Sequence, residues 1–357
     1  MTTSTIDATA EGVVSDSALE RFHPRPVFRL GLRTCSVVGV GAHLPQRIVT
    51  NAEIGRVLGD DGEWILHRTG IRERRRAAGN EFTSDLAAQA AANALDQAGL
   101  HGADLDLILV ATNTPDMMFP ATACLVQAKL GARKCPAFDL KAGGAGFLYA
   151  LEIGRQFVVS RTFETVMVIG AEKLSTVLDG KDRSTCAIFG DGAGAAVLQH
   201  RPGASGILCA PLGTDGDKAE LLHLRGGGCR IPTSRESVAG GQHFLRMLGQ
   251  RTYKQAVLAM CAAAAEALRQ SDLTLPDIAC IIPQQANRRL IEAFAMRIGA
   301  APGQVFLNLE YVGNASAGSI PIALAEAVEN GRVKRGDRVL LVGFGSGLTW
   351  GATILEW

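Results

Sequence analysis

Hydrophobic and polar positions along this chain follow two regimes. Residues 84–98 and 253–270 repeat apolar side chains at the spacing of an amphipathic helix, and each stretch leads into an apolar run, at 105–110 and 278–282. Helical spacing leaves one polar face, whereas a continuous apolar run of five or six residues reads as a strand covered on both sides. Aligning Asp104 with Asp277 gives 277 − 104 = 173. A second pair, Thr165-Val-Met-Val-Ile-Gly170 and Arg338-Val-Leu-Leu-Val-Gly343, aligns at 339 − 166 = 173. Two helix–strand units at one offset predict a duplicated α/β chain, with an N-terminal half at 34–205 and a C-terminal half at 206–357. The offset sets Gly144 opposite Ala317, each near a helix start and close to the expected pseudo-twofold axis.

One stretch departs from regular patterning. Between Pro136 and Phe147 the chain reads as a short strand, Ala137-Phe-Asp-Leu140, then small residues opening a helix that runs to about Val159. Such a turn brings backbone N–H groups close to whatever stands at its tip. A cysteine there would be a low-pKa nucleophile. The tip carries Gly143 and Gly144.

Composition narrows the class. With 357 residues, 47% hydrophobic and 20% charged, the chain can bury a large core, and its net charge of +1 gives no bulk attraction to nucleic acid or to an anionic membrane. Met1 to about Pro26 lacks the basic and apolar regions of a signal peptide, so residues 1–33 read as a mobile tail and a cytoplasmic location is expected. Eight cysteines without a Cys-x-x-Cys pair suit a reducing compartment and read as small buried hydrophobes, including Cys135, nine residues before Gly144, and Cys124 in an apolar helical run. The seven histidines are scattered, so no metal site is expected. Neither a dinucleotide-binding Gly-x-Gly-x-x-Gly nor a Gly-x-Ser-x-Gly elbow is formed around Gly313–Gly318 or Gly343–Gly347.

Six segments together carry a specific resemblance. Thr69-Gly-Ile-Arg-Glu-Arg74, Asp139-Leu-Lys-Ala-Gly-Gly-Ala-Gly-Phe147, Phe189-Gly-Asp-Gly-Ala-Gly-Ala-Ala196, Ile282-Pro-Gln-Gln-Ala-Asn287, Asn314-Ala-Ser-Ala-Gly-Ser-Ile-Pro321 and Gly343-Phe-Gly-Ser-Gly-Leu-Thr-Trp-Gly351 occur in order across residues 34 to 357. They resemble the β-ketoacyl-acyl carrier protein synthase III family, initiating ketosynthases of fatty-acid and polyketide synthesis within the thiolase superfamily. The resemblance implies a five-layered αβαβα thiolase fold. It also implies a substrate that is a CoA or phosphopantetheine thioester, with no separate cofactor.

The family works with a cysteine, a histidine and an asparagine, and the resemblance places these on Gly144, Gln284 and Asn314. Glycine cannot form the acyl-enzyme. Glutamine still offers two N–H donors, so Gln284 and Asn314 together can form an oxyanion hole, each donor of which is worth roughly 3–4 kcal/mol. Decarboxylation of a malonyl thioester, or acyl transfer by direct attack of an acceptor, would survive. The competing reading is that the two amides only satisfy each other.

Further roles come from the resemblance alone. Trp64, Arg68 and Arg183 match positions that stack on and pair with the CoA adenine nucleotide, and Lys254, Arg288 and Arg289 match the docking surface for acyl carrier protein, with Arg297 extending it. Phe119 matches the aromatic that one protomer inserts into its partner's acyl pocket, which implies a dimer, and Phe189 lines the same pocket. The basic run Arg72–Arg76 reads as the edge of the CoA-binding loop, and no role is preferred for Lys141. Three readings stay open: a cysteine-free enzyme acting on acyl or malonyl thioesters, a non-catalytic partner subunit dimerised with an intact ketosynthase, and an engineered inactive form of such a synthase.

Overall fold

Two five-stranded sheets are present in the computed structural model, which describes residues 33–132 and 134–357. The N-terminal tail expected at residues 1–33 falls outside these residues except for Arg33. The first sheet runs in the order Ser36–His43, Gly192–Gln199, Thr165–Glu172, Leu107–Ala111, Ala137–Leu140. The second runs Cys280–Pro283, Arg338–Gly345, Thr349–Glu356, with Ile207–Cys209 and Leu212–Thr214 both paired to that last strand. In each sheet one strand, Gly192–Gln199 in the first and Thr349–Glu356 in the second, runs antiparallel to its neighbours, and the other adjacent pairs are parallel.

Strand composition explains the layering. Leu107–Ala111 and Thr165–Glu172 are buried along their whole lengths, so helices must cover both faces. Thr83–Ala98 and Thr122–Lys129 cover the outer face of the first sheet, and Gly249–Ser271 and Arg288–Ile298 that of the second. Gly146–Val159 and Ser319–Glu329 fill the space between the sheets, where Leu148, Leu151, Ile320 and Leu324 share a core with Leu109, Val168, Ile282 and Leu341. The five layers expected from the resemblance are present.

The repeat is visible element by element. The single turns Gly102–Asp104 and Leu275–Asp277, Gly143–Ala145 and Ser316–Gly318, and the strands Thr165–Glu172 and Arg338–Gly345 match at one offset (275 − 102 = 316 − 143 = 338 − 165 = 173). The two central helices begin immediately after their turns, at Gly146 and Ser319. Their starts meet across the axis, with the Ala317 side chain 3.5 Å from where a Gly146 Cβ would stand.

The cysteines depart from the expected pattern. Cys35, Cys186, Cys209 and Cys280 are buried, but Cys124 and Cys229 are exposed, and Cys135 and Cys261 are half-buried. On Thr122–Lys129 the inward face consists of Thr122, Ala123 and Val126, which leaves Cys124 on the other side. An apolar run on a short outer helix is thus wider than the face it buries.

The arginine run also differs from its expected place. Glu73–Arg76 is a strand paired with Arg47–Thr50, and none of Arg72 to Arg76 lines the main cavity. Arg74 is 1% exposed, with its guanidinium donating to Val49 O, Asn51 Oδ1 and Ala187 O. Burial lowers its pKa to about 10.

Candidate active site

The strand Ala137–Leu140 ends at Lys141, and the backbone then turns through Gly143 to start the central helix. Gly143 has φ 53°, and a Cβ there would stand 2.4 Å from the Ser346 backbone nitrogen. Only glycine allows this turn to pack directly on the chain at Gly345–Ser346. Thr349 Oγ1 fixes the contact by donating to Ala142 O at 2.7 Å.

A cavity of about 650 Å³ opens at this turn, lined by Gly144, Gln284 and Asn314 at its buried end and by Trp64, Arg68 and Arg183 where residues become exposed. The structure therefore brings together six residues chosen from sequence. Phe189 also lines it. A second cavity, about 530 Å³, shares Gly144, Phe189, Leu222 and Ser316 with the first and adds Lys141, Met118 and His223. Gly144 thus stands in the wall between two spaces.

The inner end holds an amide pair. Gln284 follows the strand Cys280–Pro283, and its Nε2 donates to Asn314 Oδ1 at 2.9 Å. The same Oδ1 receives the Ser316 backbone N–H at 2.8 Å, while backbone bonds to Ile188 O and from Gly190 N hold Asn314 in place. Both side chains are nearly sealed, at 3% and 5% exposure. Asn314 Nδ2 has no acceptor among the described residues, so its two N–H bonds and the second of Gln284 Nε2 remain uncommitted.

At the outer end, the Arg183 guanidinium lies over the Trp64 ring, 4.8 Å from its centroid. Asp60 ties the two, accepting from Trp64 Nε1 at 3.1 Å and from Arg183. Asp60 thus holds the indole and guanidinium groups against each other.

The remaining candidates lie elsewhere. Arg288 pairs with Glu310 at 2.8 Å, Arg289 donates to His67 O at 3.0 Å, and Lys254 is exposed without an ion pair among the described residues. Phe119 lines neither cavity of its own chain and is 85% exposed, beside the exposed Met117 and Met118. Lys141 is exposed at the second cavity.

Two residues near the amide pair carry no role in the sequence reading. Ser316 was visible only as part of its motif. Glu172, fully buried at the end of the strand Thr165–Glu172, accepts from Asn113 N and Nδ2 and from Thr114 Oγ1. Burial raises its pKa, against the pull of Thr114 and Asn113 as hydrogen-bond donors. Nothing in its local sequence signals this, because the donors arrive from other segments.

Comparison with known proteins is consistent throughout. Family models described as 3-Oxoacyl-[acyl-carrier-protein (ACP)] synthase III and its C-terminal region match residues 138–216 and 268–357. The chain is 47% identical over 321 residues to a beta-ketoacyl-[acyl-carrier-protein] synthase III of Caldanaerobacter subterraneus, covering 90% of this chain and 97% of that protein. A relative of the same description from Clostridioides difficile is 43% identical, with 90% and 98% covered. Among solved structures, 3-oxoacyl-[acyl-carrier-protein] synthase III from Aquifex aeolicus superposes with a TM-score of 0.84 at 42% identity, over 92% of this chain and 100% of that one. The priming β-ketosynthase of the R1128 polyketide pathway gives 0.85 at 35% identity, over 93% and 98%.

Proposed function

Because this chain belongs to the 3-oxoacyl-[acyl-carrier-protein] synthase III family, we propose that it acts on acyl or malonyl thioesters of CoA or acyl carrier protein without a cysteine-bound intermediate. It works as a decarboxylase or acyltransferase of fatty-acid or polyketide-type synthesis. The observation that carries this is the Gln284–Asn314 amide pair at the buried end of the main cavity.

In this reading the thioester carbonyl oxygen receives N–H groups from Asn314 Nδ2 and Gln284 Nε2. Loss of carbon dioxide from a malonyl unit leaves an enolate whose charge falls on that oxygen, so the donors act most strongly as charge develops. Gln284 cannot take up a proton near neutral pH, so its contribution is electrostatic. The enolate then takes a proton from solvent to give the acetyl thioester, so the chemistry is redox-neutral and needs no cofactor. Trp64, Arg68 and Arg183 hold the CoA nucleotide by stacking and phosphate pairing. Lys254, Arg288 and Arg289 receive the acidic carrier protein, and Phe119 enters the partner of a homodimer.

The test is carbon dioxide release from malonyl-CoA and malonyl-carrier protein by the native sequence and by Asn314→Ala. Release that falls about 10²–10³-fold in Asn314→Ala supports the reading. Absence of release, with condensation gained by the Gly144→Cys, Gln284→His double variant, overturns it in favour of a non-catalytic subunit or an inactivated enzyme.

A further inference from the structure

One charged residue beside the site has no role in the mechanism so far. Lys141 follows the strand Ala137–Leu140, three residues before Gly144, and lines the second cavity of about 530 Å³. No Asp or Glu lines that cavity, and Lys141 has no ion pair or hydrogen bond among the described residues. The other ionisable residue of the lining, His223, is engaged with its own chain, where Nδ1 donates to Glu220 O at 3.1 Å. Glu172, which accepts from Asn113 and Thr114 in the cavity wall, is fully buried and does not itself line the space. The lining thus carries a lysine and no carboxylate.

The shared wall decides which part of a thioester reaches Lys141. The two cavities meet at Gly144, Phe189, Leu222 and Ser316. With the nucleotide at Trp64, Arg68 and Arg183 and the carbonyl at Gln284 and Asn314, the pantetheine arm takes the outer part of the main cavity. The acyl chain then continues past Gly144, where no side chain stands, into the second cavity. Leu174, Val177 and Leu245 in its lining suit methylene groups. Lysine carries its charge on a flexible four-carbon stem, so an ammonium based at the wall reaches an anion within the space it lines. A chain that ends in a methyl group gives Lys141 nothing to pair with, whereas one that ends in a carboxylate does.

We propose that the second cavity selects acyl groups whose far end is a carboxylate, the monothioesters of dicarboxylic acids, and that Lys141 recognises that carboxylate. The inference rests on the reading of the main cavity as a thioester site and names the class of acyl group it takes. Lys141 acts in binding and takes no part in bond making or breaking. In a malonyl group the carboxylate lies too close to the thioester carbonyl to cross the wall at Gly144. Longer members of the class place it on the far side, where Lys141 lies, so succinyl and glutaryl thioesters are the expected ligands.

The experiment measures dissociation constants of the full chain by isothermal titration calorimetry at low salt. Succinyl-CoA is compared with butyryl-CoA and glutaryl-CoA with valeryl-CoA, each pair having acyl groups of equal length. The expected result is that the dicarboxylic member of at least one pair binds about fivefold more tightly, the scale of a solvent-screened ion pair, and that the preference shrinks as salt is raised. Lys141→Met brings the ratio to about one, Lys141→Arg keeps it, and Lys141→Glu inverts it, so the Glu variant supplies the test where the Met variant does not fold. A ratio near one in the native protein, as for a lysine that is merely solvated, overturns the inference. A preference that persists in Lys141→Met or Lys141→Glu does the same. Binding of every thioester without preference defeats the role of Lys141 alone, and binding of none defeats the thioester site as well.

Discussion

Gln284 donates to Asn314 Oδ1 at 2.9 Å, while its own Oε1 is buried without a donor among the described residues. Reversing the Gln284 amide would set two carbonyl oxygens together, so Asn314 fixes its orientation. The arrangement leaves Asn314 Nδ2 and one N–H of Gln284 Nε2 without an acceptor among the described residues. An unsatisfied buried acceptor is the cost, of the order of 1–3 kcal/mol.

Gly144 is tightly enclosed by its neighbours. A Cβ there would stand 2.6 Å from Phe344 O and 3.0 Å from both Cδ and Nε2 of Gln284. Gly144→Ala should therefore lower the unfolding free energy by about 1–3 kcal/mol in urea titration. A double-mutant cycle of Gly144→Cys with Gln284→His should show coupling of about 0.5 kcal/mol or more. Additive effects would mean that the two side chains do not compete for one space.

Arg183 stacks on Trp64 at the outer end of the cavity, far in character from the amide pair. Arg183→Ala should raise KM for malonyl-CoA roughly tenfold, the scale of a partly desolvated cation–π contact and a phosphate pair. KM for malonyl-pantetheine, which lacks the nucleotide, should stay unchanged. An equal rise for both substrates would remove the nucleotide role.

Burial raises the Glu172 and Asp191 carboxyls above their ordinary values. For an acid raised by folding, the native chain keeps its proton to higher pH than the unfolded chain. The contribution to stability is fully present below the ordinary glutamate value of 4.5 and is lost as pH rises through the folded one. Urea midpoints from about pH 4 to pH 8 should thus carry a falling component that shrinks in Glu172→Gln, with Asp191 supplying the remainder. An unchanged pH dependence in Glu172→Gln would show that the group does not titrate in this range.

Phe119 at 85% exposure, with the exposed Met117 and Met118 beside it, presents an apolar patch that is not covered by the described residues. Phe119→Asp should convert a dimer into a monomer in light scattering, since a charge replaces a side chain that would be buried in the partner. Its far-ultraviolet spectrum should not change, because the side chain touches little of its own protomer. A native protein that is already monomeric would end this prediction.

Much of the molecule was legible in the sequence because its signals are local. Continuous apolar runs marked the central strands, the repeat at 173 residues survived as matched turns and strands, and the small residues after Leu140 could form only a tight turn. Motif order placed Gly144, Gln284 and Asn314 at one site, with Trp64, Arg68 and Arg183. Other features depend on contacts between distant segments. Arg74 sits in a charged run that reads as surface, yet carbonyls of Val49 and Ala187 enclose it. Cys124 sits in an apolar run that reads as interior, yet its helix turns it outward. The strand Thr165–Glu172 and the turn Ser316–Gly318 are separated by 316 − 172 = 144 residues and come together only through the packing of distant segments. Periodicity and motif spacing specify which residues are strands, turns and site candidates. Which polar groups are sealed from water follows from the packing of distant segments against each other.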